Sequence, residues 1–232
     1  MKKRIRINGI IIFITVIVIL LFSNFFFDNP AFNFLKKIKE VFGLGFILLG
    51  QLIRISSRGY KSENSKNGHA LISGGPYKLV RHPMYLGIIL IGFGIVLVLF
   101  KWWVAAGFIL IFSLRYITLI IKEEEKLSAS FFEEYKTYKK EVPRRIMPDI
   151  KEIFTTDIRQ YFPLKKEWIG RESSSVAAVL AGVIAVNAYQ YIKKGGFFFY
   201  LGQASVVLSV MILFFIVIRY LESGQKDVPA KS

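Results

Sequence analysis

The sequence predicts an all-α protein: a polytopic integral membrane helical bundle of about six transmembrane helices with additional interfacial helices. Two observations predict this class. The chain of 232 residues is 53% hydrophobic, with a mean hydropathy of +0.46, yet it carries a formal net charge of +16. Soluble nucleic-acid-binding proteins reach such a charge with fewer apolar residues, whereas Phe alone occurs 22 times here. We therefore expect charge to be segregated from long apolar runs, and we expect no nucleic-acid partner.

Six apolar segments come near the roughly 20 residues that a helix needs to cross a hydrocarbon core. They are residues 10–27, 41–56, 84–100, 102–121, 174–192 and 197–218. The first follows four basic residues, but no small-residue cleavage site comes after it, so we interpret it as a retained anchor. The second is short and is interrupted by Gly43, Gly45 and Gly50.

The distribution of basic residues predicts the orientation. If both ends of the chain are cytoplasmic, 25 Lys and Arg lie on that side and six on the other, with Arg115 uncounted inside the fourth span. Cytoplasmic loops of membrane proteins carry the excess of Lys and Arg. We therefore predict that both termini, and any site formed by the most basic segments, face the cytoplasm.

The third and fourth spans meet at Phe100 and Lys101. This spacing predicts a tight helical hairpin over residues 84–121, with the following tryptophans at the far membrane interface. The chain then divides into four parts. They are N-terminal transmembrane helices at 1–60, a core with the functional site at 61–148, an interfacial amphipathic segment at 149–173 and a C-terminal transmembrane hairpin at 174–232.

Before the hairpin, residues 74–76 read Gly-Gly-Pro and predict a turn, and Pro83 suits the first turn of a helix. Arg81, His82 and two tyrosines add hydrogen-bond donors and aromatic faces beside a helix N-terminus, where free N–H groups favour anions. The residues alone fit a polar loop with a helix cap as well as they fit a ligand site.

After the hairpin, three adjacent glutamates begin at Glu123. Apolar and aromatic residues follow at helical spacing and predict an interfacial amphipathic helix. They are Leu127, Phe131, Tyr135, Tyr138 and Val142. A run of glutamates is usually a solvated helix end, but these lie at a membrane boundary within a basic face, and the hairpin returns them close to His82. A carboxylate in that position suits a ligand ammonium or sulfonium.

The chain has no cysteine and only two histidines. These counts exclude a disulfide framework, a zinc–thiolate site and an iron–sulfur cluster, and they argue against a histidine-rich metal site. We therefore predict no metal. Neither a Ser-His-Asp arrangement nor a glycine-rich phosphate loop is present to indicate hydrolysis or nucleotide transfer.

The segment Gly75-Pro-Tyr-Lys-Leu-Val-Arg-His-Pro-Met-Tyr-Leu-Gly87, followed after one hairpin by Glu123-Glu124 and by Val-Pro-Arg at 142–144, resembles the isoprenylcysteine carboxyl methyltransferase family. The wider group includes membrane phospholipid methyltransferases. The match covers about residues 43–148, and the two segments agree in content, order and spacing. The resemblance implies an enzyme that uses S-adenosylmethionine as methyl donor, bound in a pocket at the cytoplasmic face.

The resemblance also implies roles for individual residues. Those that would bind the cofactor are His69, Ala70, Leu71, Ile72, Tyr77, His82, Pro83, Met84, Tyr85 and Glu123. Glu123 would accept hydrogen bonds from the amino group of the cofactor. We interpret Arg81, Glu124 and Arg144 as the candidate catalytic residues, and Arg144 would contact an anionic acceptor group through two parallel hydrogen bonds. Binding of lipid headgroups explains Arg144 and Arg145 equally well.

The predicted reaction is O-methylation of a carboxylate on a prenyl-cysteine-like or other lipophilic acceptor. The acceptor would be a small molecule or a lipidated partner, and it would enter the site laterally from among the membrane lipids. A carboxylate is already ionised at neutral pH and needs no strong base, whereas an amine would have to lose a proton to His82 or a glutamate. The alternatives are phospholipid N-methylation, a membrane reductase of the sterol-reductase type, and a non-enzymatic membrane interaction protein.

Overall fold

The structure is a computed structural model that describes residues 21–28, 34–65, 70–148 and 158–223. These residues form eight helices and no β-strand. In chain order the helices are α1 (Ser23–Phe26), α2 (Phe34–Asn64), α3 (Pro76–Leu79), α4 (Pro83–Leu99), α5 (Trp102–Ser130), α6 (Phe132–Glu141), α7 (Ile158–Tyr161) and α8 (Lys166–Ser223). The predicted all-α class is confirmed for the described residues.

Two helical segments of the described residues are long and apolar enough to cross a membrane, namely α5 and the part of α8 from Lys166 to Lys193. Helix α4 is also apolar but has 17 residues. Helix α5 buries only 11% of its most apolar stretch inside the protein. The large side chains that it exposes include Ile109, Leu110, Ile111, Leu114 and Ile117. An exposed helix face of this kind suits contact with lipid. The six-span topology remains a prediction, and most of its first span lies outside the described residues.

Helices α2 and α4 pack antiparallel through two matched pairs of glycines. A Cβ on Gly43 would lie 2.9 Å from the carbonyl oxygen of Gly94, and a Cβ on Gly50 would lie 2.5 Å from that of Gly87. The partner glycines are equally restricted, since added Cβ atoms there would lie 2.4 and 2.8 Å from the carbonyl oxygens of Gly43 and Gly50. Small residues at such positions let helix backbones approach closely. The glycines that interrupt the predicted second span therefore hold α2 against the helix that begins the site.

Helices α4 and α5 form the predicted tight hairpin, because α4 ends at Leu99 and α5 begins at Trp102. Residues that precede α4 in the chain contact this connection and stabilise it. The Phe27 and Phe100 rings stack with centroids 4.9 Å apart, and Lys39 Nζ donates to the Phe100 carbonyl at 2.9 Å. These contacts fix the end of the hairpin at which α4 connects to α5.

Helix α8 is assigned continuously over 58 residues, but the chain reverses direction within it. Trp168 and Leu221 belong to the same hydrophobic cluster, although a straight helix would separate them by about 80 Å. The two halves that we predicted as separate spans therefore lie side by side. The backbone between the two predicted spans, at 193–196, keeps a helical conformation.

The predicted interfacial segment at 149–173 is described from residue 158 onward. Its large apolar residues are buried within the protein and pack against α2. They are Tyr161, Phe162, Leu164 and Trp168. Their side chains complete the core beside α2, and the interfacial position of the segment remains a prediction. Residues 149–157 lie outside the described part of the chain.

Candidate active site

A cavity of about 380 Å³ lies between the end of α2, the segment before α4, the start of α4, the end of α5 and α6. Its volume lies within the range of about 300–1000 Å³ that is typical of small-molecule sites. The residues that line it are Lys61, Ser65, Ala70, Leu71, Ile72, Tyr77, Arg81, His82, Pro83, Met84, Tyr85, Ile88, Glu123, Leu127, Phe131, Tyr135 and Tyr138. The cavity thus joins the two segments that flank the hairpin in the sequence.

The segment before α4 is shaped by a glycine turn packed on an aromatic ring. Gly75 has φ of +55°, a left-handed conformation that favours glycine. A Cβ on Gly74 would lie 2.1 Å from the Tyr60 hydroxyl oxygen, and one on Gly75 would lie 2.8 Å from the ring of Tyr60. Pro76 and Pro83 then begin α3 and α4, where a missing N–H costs no helical hydrogen bond. The glycine turn therefore connects the segment before α3 to the start of α4 within a few residues, and these residues form one wall of the cavity.

Glu124 is the centre of a buried ionic cluster next to the cavity. Its carboxylate lies 3.1 Å from Nη2 of Arg81, 3.3 Å from Nε2 of His82 and 3.5 Å from Nε of Arg145. The Glu124 side chain is 7% exposed and does not line the cavity. A buried carboxylate with two arginines is stabilised only while those partners stay in place. Glu124 thus ties the end of α5 to the segment before α4 and to the segment after α6.

Glu123 has a different environment from its neighbour, because its side chain lines the cavity and is 36% exposed. The nearest basic atom is Nδ1 of His82, 3.8 Å from the carboxylate. Burial lowers the pKa of His82 below its ordinary value, although the glutamates on both sides act in the opposite direction. The imidazole is therefore neutral at pH 7, and Glu123 carries the negative charge that faces the cavity.

The segment that follows α6 is joined to the segment before α4 by two backbone hydrogen bonds. The N–H of Arg81 donates to the Arg144 carbonyl at 3.0 Å, and the N–H of His82 donates to the Arg145 carbonyl at 2.9 Å. We call residues 142–148 the strap. The strap holds Arg81 and His82 from the side opposite α5, so the position of both side chains depends on three separate parts of the chain.

Three buried tyrosines form the aromatic side of the cavity, and one of them bonds directly to the opposite wall. The Tyr138 hydroxyl donates to the Tyr77 carbonyl at 2.7 Å. Burial raises the pKa of Tyr135 to about 12, and it also raises the pKa of Tyr77 and of Tyr138. All three therefore remain neutral phenols at physiological pH, so that they offer aromatic faces and hydroxyl donors rather than charge.

The structure brings together most of the residues that the sequence singled out. The predicted residues that line the cavity are Ala70, Leu71, Ile72, Tyr77, Arg81, His82, Pro83, Met84, Tyr85 and Glu123. Glu124 lies in the adjacent ionic cluster, and Arg144 is half-buried in the strap without lining the cavity. His69 lies outside the described residues. Within the described ranges, no group of three or more His, Asp and Glu is arranged to hold a metal ion.

Several cavity residues were missed as site residues by sequence reasoning. Leu127, Phe131, Tyr135 and Tyr138 were found as an amphipathic stripe but were assigned to the membrane surface. In the structure they pack with Tyr77 as one buried cluster, so the assignment of the stripe to the membrane is wrong. The stripe pattern shows which residues are covered but not what covers them. Lys61 and Ser65, at the end of α2, gave no signal in the sequence.

Comparisons with known proteins match a part of the chain that holds most of the residues lining this cavity. Residues 38–134 match a family model described as phospholipid methyltransferase. The chain is 31% identical over 129 residues to protein-S-isoprenylcysteine O-methyltransferase of Schizosaccharomyces pombe, with 52% of this chain and 54% of that protein covered. The chain thus spans about half the length of the curated relative that it matches. No solved structure matches the chain. The predicted resemblance to isoprenylcysteine carboxyl methyltransferases and the related phospholipid methyltransferases is confirmed.

Proposed function

We propose that the protein is a membrane methyltransferase that uses S-adenosylmethionine to methylate a carboxylate on a lipophilic acceptor of the prenyl-cysteine type. The observation that carries the proposal is the cavity between the two segments of the family motif. Most of its lining residues fall within residues 38–134, which match the phospholipid methyltransferase family model, and the cavity offers a carboxylate beside several aromatic rings. Similarity alone would support methyl transfer, and the cavity adds a site with suitable chemistry.

The cavity residues fit a cationic methyl donor. Glu123 supplies a carboxylate for an ammonium group, and neutral tyrosine rings surround the same space. Aromatic faces attract cations through the ring quadrupole, with about 0.5–2 kcal/mol gained for each well-placed contact. What S-adenosylmethionine would supply there is a methyl group on a positively charged sulfonium.

The chain itself would contribute positioning and exclusion of water. Arg81 and His82 are almost fully buried, α6 lines one side of the cavity, and the strap holds the backbone of Arg81 and His82 in place. Met84, Ile88 and Leu127 give the cavity an apolar part, which suits the lipophilic portion of an acceptor. The methyl donor would come from water and the acceptor from the membrane. Holding these two reactants in the correct orientation is the main way in which this arrangement would accelerate the reaction.

The acceptor carboxylate needs a cationic partner, and we assign this role to Arg144. Arg144 belongs to the Val-Pro-Arg part of the family motif and is half-buried in the strap. A guanidinium can hold a carboxylate through two parallel hydrogen bonds. No general base is required, because a carboxylate is ionised at neutral pH.

The experiment that tests the proposal measures binding of S-adenosylmethionine and transfer of its labelled methyl group by the detergent-solubilised protein. Glu123→Gln removes one charge without changing side-chain size, and affinity should fall about tenfold. Glu125→Gln is the matched control, since Glu125 is an exposed neighbour on the same helix that does not line the cavity. Saturable binding that is equal in both variants would exclude the cavity as the donor site.

Phospholipid N-methylation is the second candidate, and the match of residues 38–134 to the phospholipid methyltransferase family favours it. An amine acceptor must lose a proton, for which a neutral His82 at the cavity wall is the available base. Labelled methyl groups distinguish the two candidates. They should appear on an S-farnesylcysteine derivative in the first case and on phosphatidylethanolamine in the second.

A further inference from the structure

His82 lies between two carboxylates that belong to adjacent residues of α5. Nε2 of the imidazole is 3.3 Å from Glu124 Oε1, within hydrogen-bond distance. Nδ1 is 3.8 Å from Glu123 Oε2, too far for a hydrogen bond. The ring therefore has one bonded nitrogen and one nitrogen that faces a carboxylate without bonding to it.

The partners of Glu124 decide which nitrogen carries the proton. Two arginines lie on its carboxylate, so that the carboxylate is acceptor-only and cannot donate to Nε2. The hydrogen bond at 3.3 Å therefore requires a proton on Nε2. Burial and the nearby Arg81 keep the pKa of His82 below its ordinary value, so the neutral ring has no second proton for Nδ1.

Nδ1 and the Glu123 carboxylate are then two acceptors that face each other. Two acceptors at this distance repel unless a donor lies between them, and a nitrogen about 2.9 Å from each would fit the separation. Both residues line the cavity, so an N–H donor of a ligand has access to this pair of acceptors from that side. Tyr85 stacks on the His82 ring with centroids 5.8 Å apart and limits rotation of the ring.

We propose that Glu124 is a positioning residue that fixes the tautomer of His82, so that Nδ1 and the Glu123 carboxylate together receive one cationic N–H group of the ligand. The inference rests on the proposed function for the identity of that group, which would be the ammonium of the methyl donor. It assigns Glu124 a role through His82 rather than contact with the reacting atoms.

Histidine nitrogen NMR tests the tautomer directly in the full-length protein. The chain has only two histidines, so a His69→Asn spectrum assigns the signals of His82. At pH 7.5 we expect a neutral ring with the proton on Nε2. Addition of S-adenosylhomocysteine should shift the Nδ1 signal and leave Nε2 nearly unchanged. A proton on Nδ1, an imidazolium, or a ligand shift confined to Nε2 would overturn the proposal.

Two pairs of variants separate positioning from a merely structural role. Glu124→Ala should weaken binding of the methyl donor by about tenfold and allow the His82 proton to exchange between both nitrogens. If Glu124 only stabilises the fold, the folded fraction will keep wild-type affinity and the Nε2 tautomer. His82→Asn places an amide oxygen near the position of Nδ1 and should retain more affinity than His82→Gln, and the reverse order would contradict the assignment.

The failure of this inference can be distinguished from failure of the proposed function. If the wild-type protein binds no S-adenosylmethionine, the proposed function is wrong, while the spectrum without ligand still tests the tautomer. If the donor binds and the tautomer is the opposite one, only the role of Glu124 is wrong.

Discussion

The glycine pairs between α2 and α4 give the most direct test of how the fold positions the site. In Gly50→Ala the new Cβ would lie 2.5 Å from the Gly87 carbonyl oxygen and 2.8 Å from Ile91 Cγ1. An ordinary carbon–oxygen contact is about 3.3–3.6 Å. The two helices must therefore separate by about 1 Å at this point, because the new Cβ is fixed to the α2 backbone and the oxygen that it meets belongs to the α4 backbone.

Gly45→Ala is the matched control on the same helix, since nothing lies within 4 Å of a Cβ at that position. Both substitutions gain about 1 kcal/mol of helix propensity. That gain cancels when the two variants are compared, and the difference isolates overpacking, which costs about 1–3 kcal/mol. For a chain of this size the difference corresponds to roughly 2–12 °C in the temperature of unfolding.

Thermal unfolding in detergent, followed by circular dichroism of the helices, measures this difference. Gly45→Ala should unfold at or above the wild-type temperature, and Gly50→Ala should unfold below it. Affinity for the methyl donor should also fall in Gly50→Ala, because Gly87 lies one turn after Pro83 at the cavity wall. Equal unfolding temperatures for the two alanine variants would refute the close-packing argument.

Three further outcomes are expected. Because burial holds the pKa of His82 below its ordinary value of about 6.5, the stability that it contributes is present above pH 6.5 and lost as pH falls through the lowered pKa. Thermal unfolding between pH 5 and 8 should show this loss in the wild type and less of it in His82→Gln. Tyr138→Phe removes the hydroxyl donor to the Tyr77 carbonyl and should lower the unfolding free energy by about 1–2 kcal/mol in denaturant titrations, whereas the same change at an exposed tyrosine should be nearly neutral. Because the chain has no cysteine, Ser62→Cys and Lys101→Cys can each be labelled singly, and an impermeant thiol reagent applied to intact cells should react at 101 and not at 62 if the predicted orientation holds.

The parts of the fold that follow from local sequence patterns were predicted. The hairpin connection at Phe100 was predictable because two long apolar runs allow only a short polar break. The residues of the cavity wall from Ala70 to Tyr85 were predictable because the family motif fixes them as one contiguous segment. Local patterns of this kind do not depend on which distant elements the chain folds against.

The parts that depend on tertiary contacts were not predicted. The apolar side chains of Tyr135 and Trp168 are compatible with a membrane surface or with a protein interior, and only their partners in the structure decide between the two. Gly43 and Gly50 of α2 interrupt a predicted span, and their spacing matches that of Gly87 and Gly94 on α4. That match relates two helices and is visible only once their pairing is known.

The three adjacent glutamates of α5 show why residue type alone did not assign their roles. Successive residues on a helix point about 100° apart, so one run of identical side chains must face three environments. Glu123 faces the cavity, Glu124 faces the two arginines and His82, and Glu125 faces outward. The sequence predicted the acidic run as the site of the cofactor, and the helix geometry divides it into a residue that lines the cavity, a buried member of an ionic cluster and a surface residue. Substitutions at these three positions should therefore differ in kind: loss of affinity at 123, loss of the His82 tautomer at 124, and little change at 125.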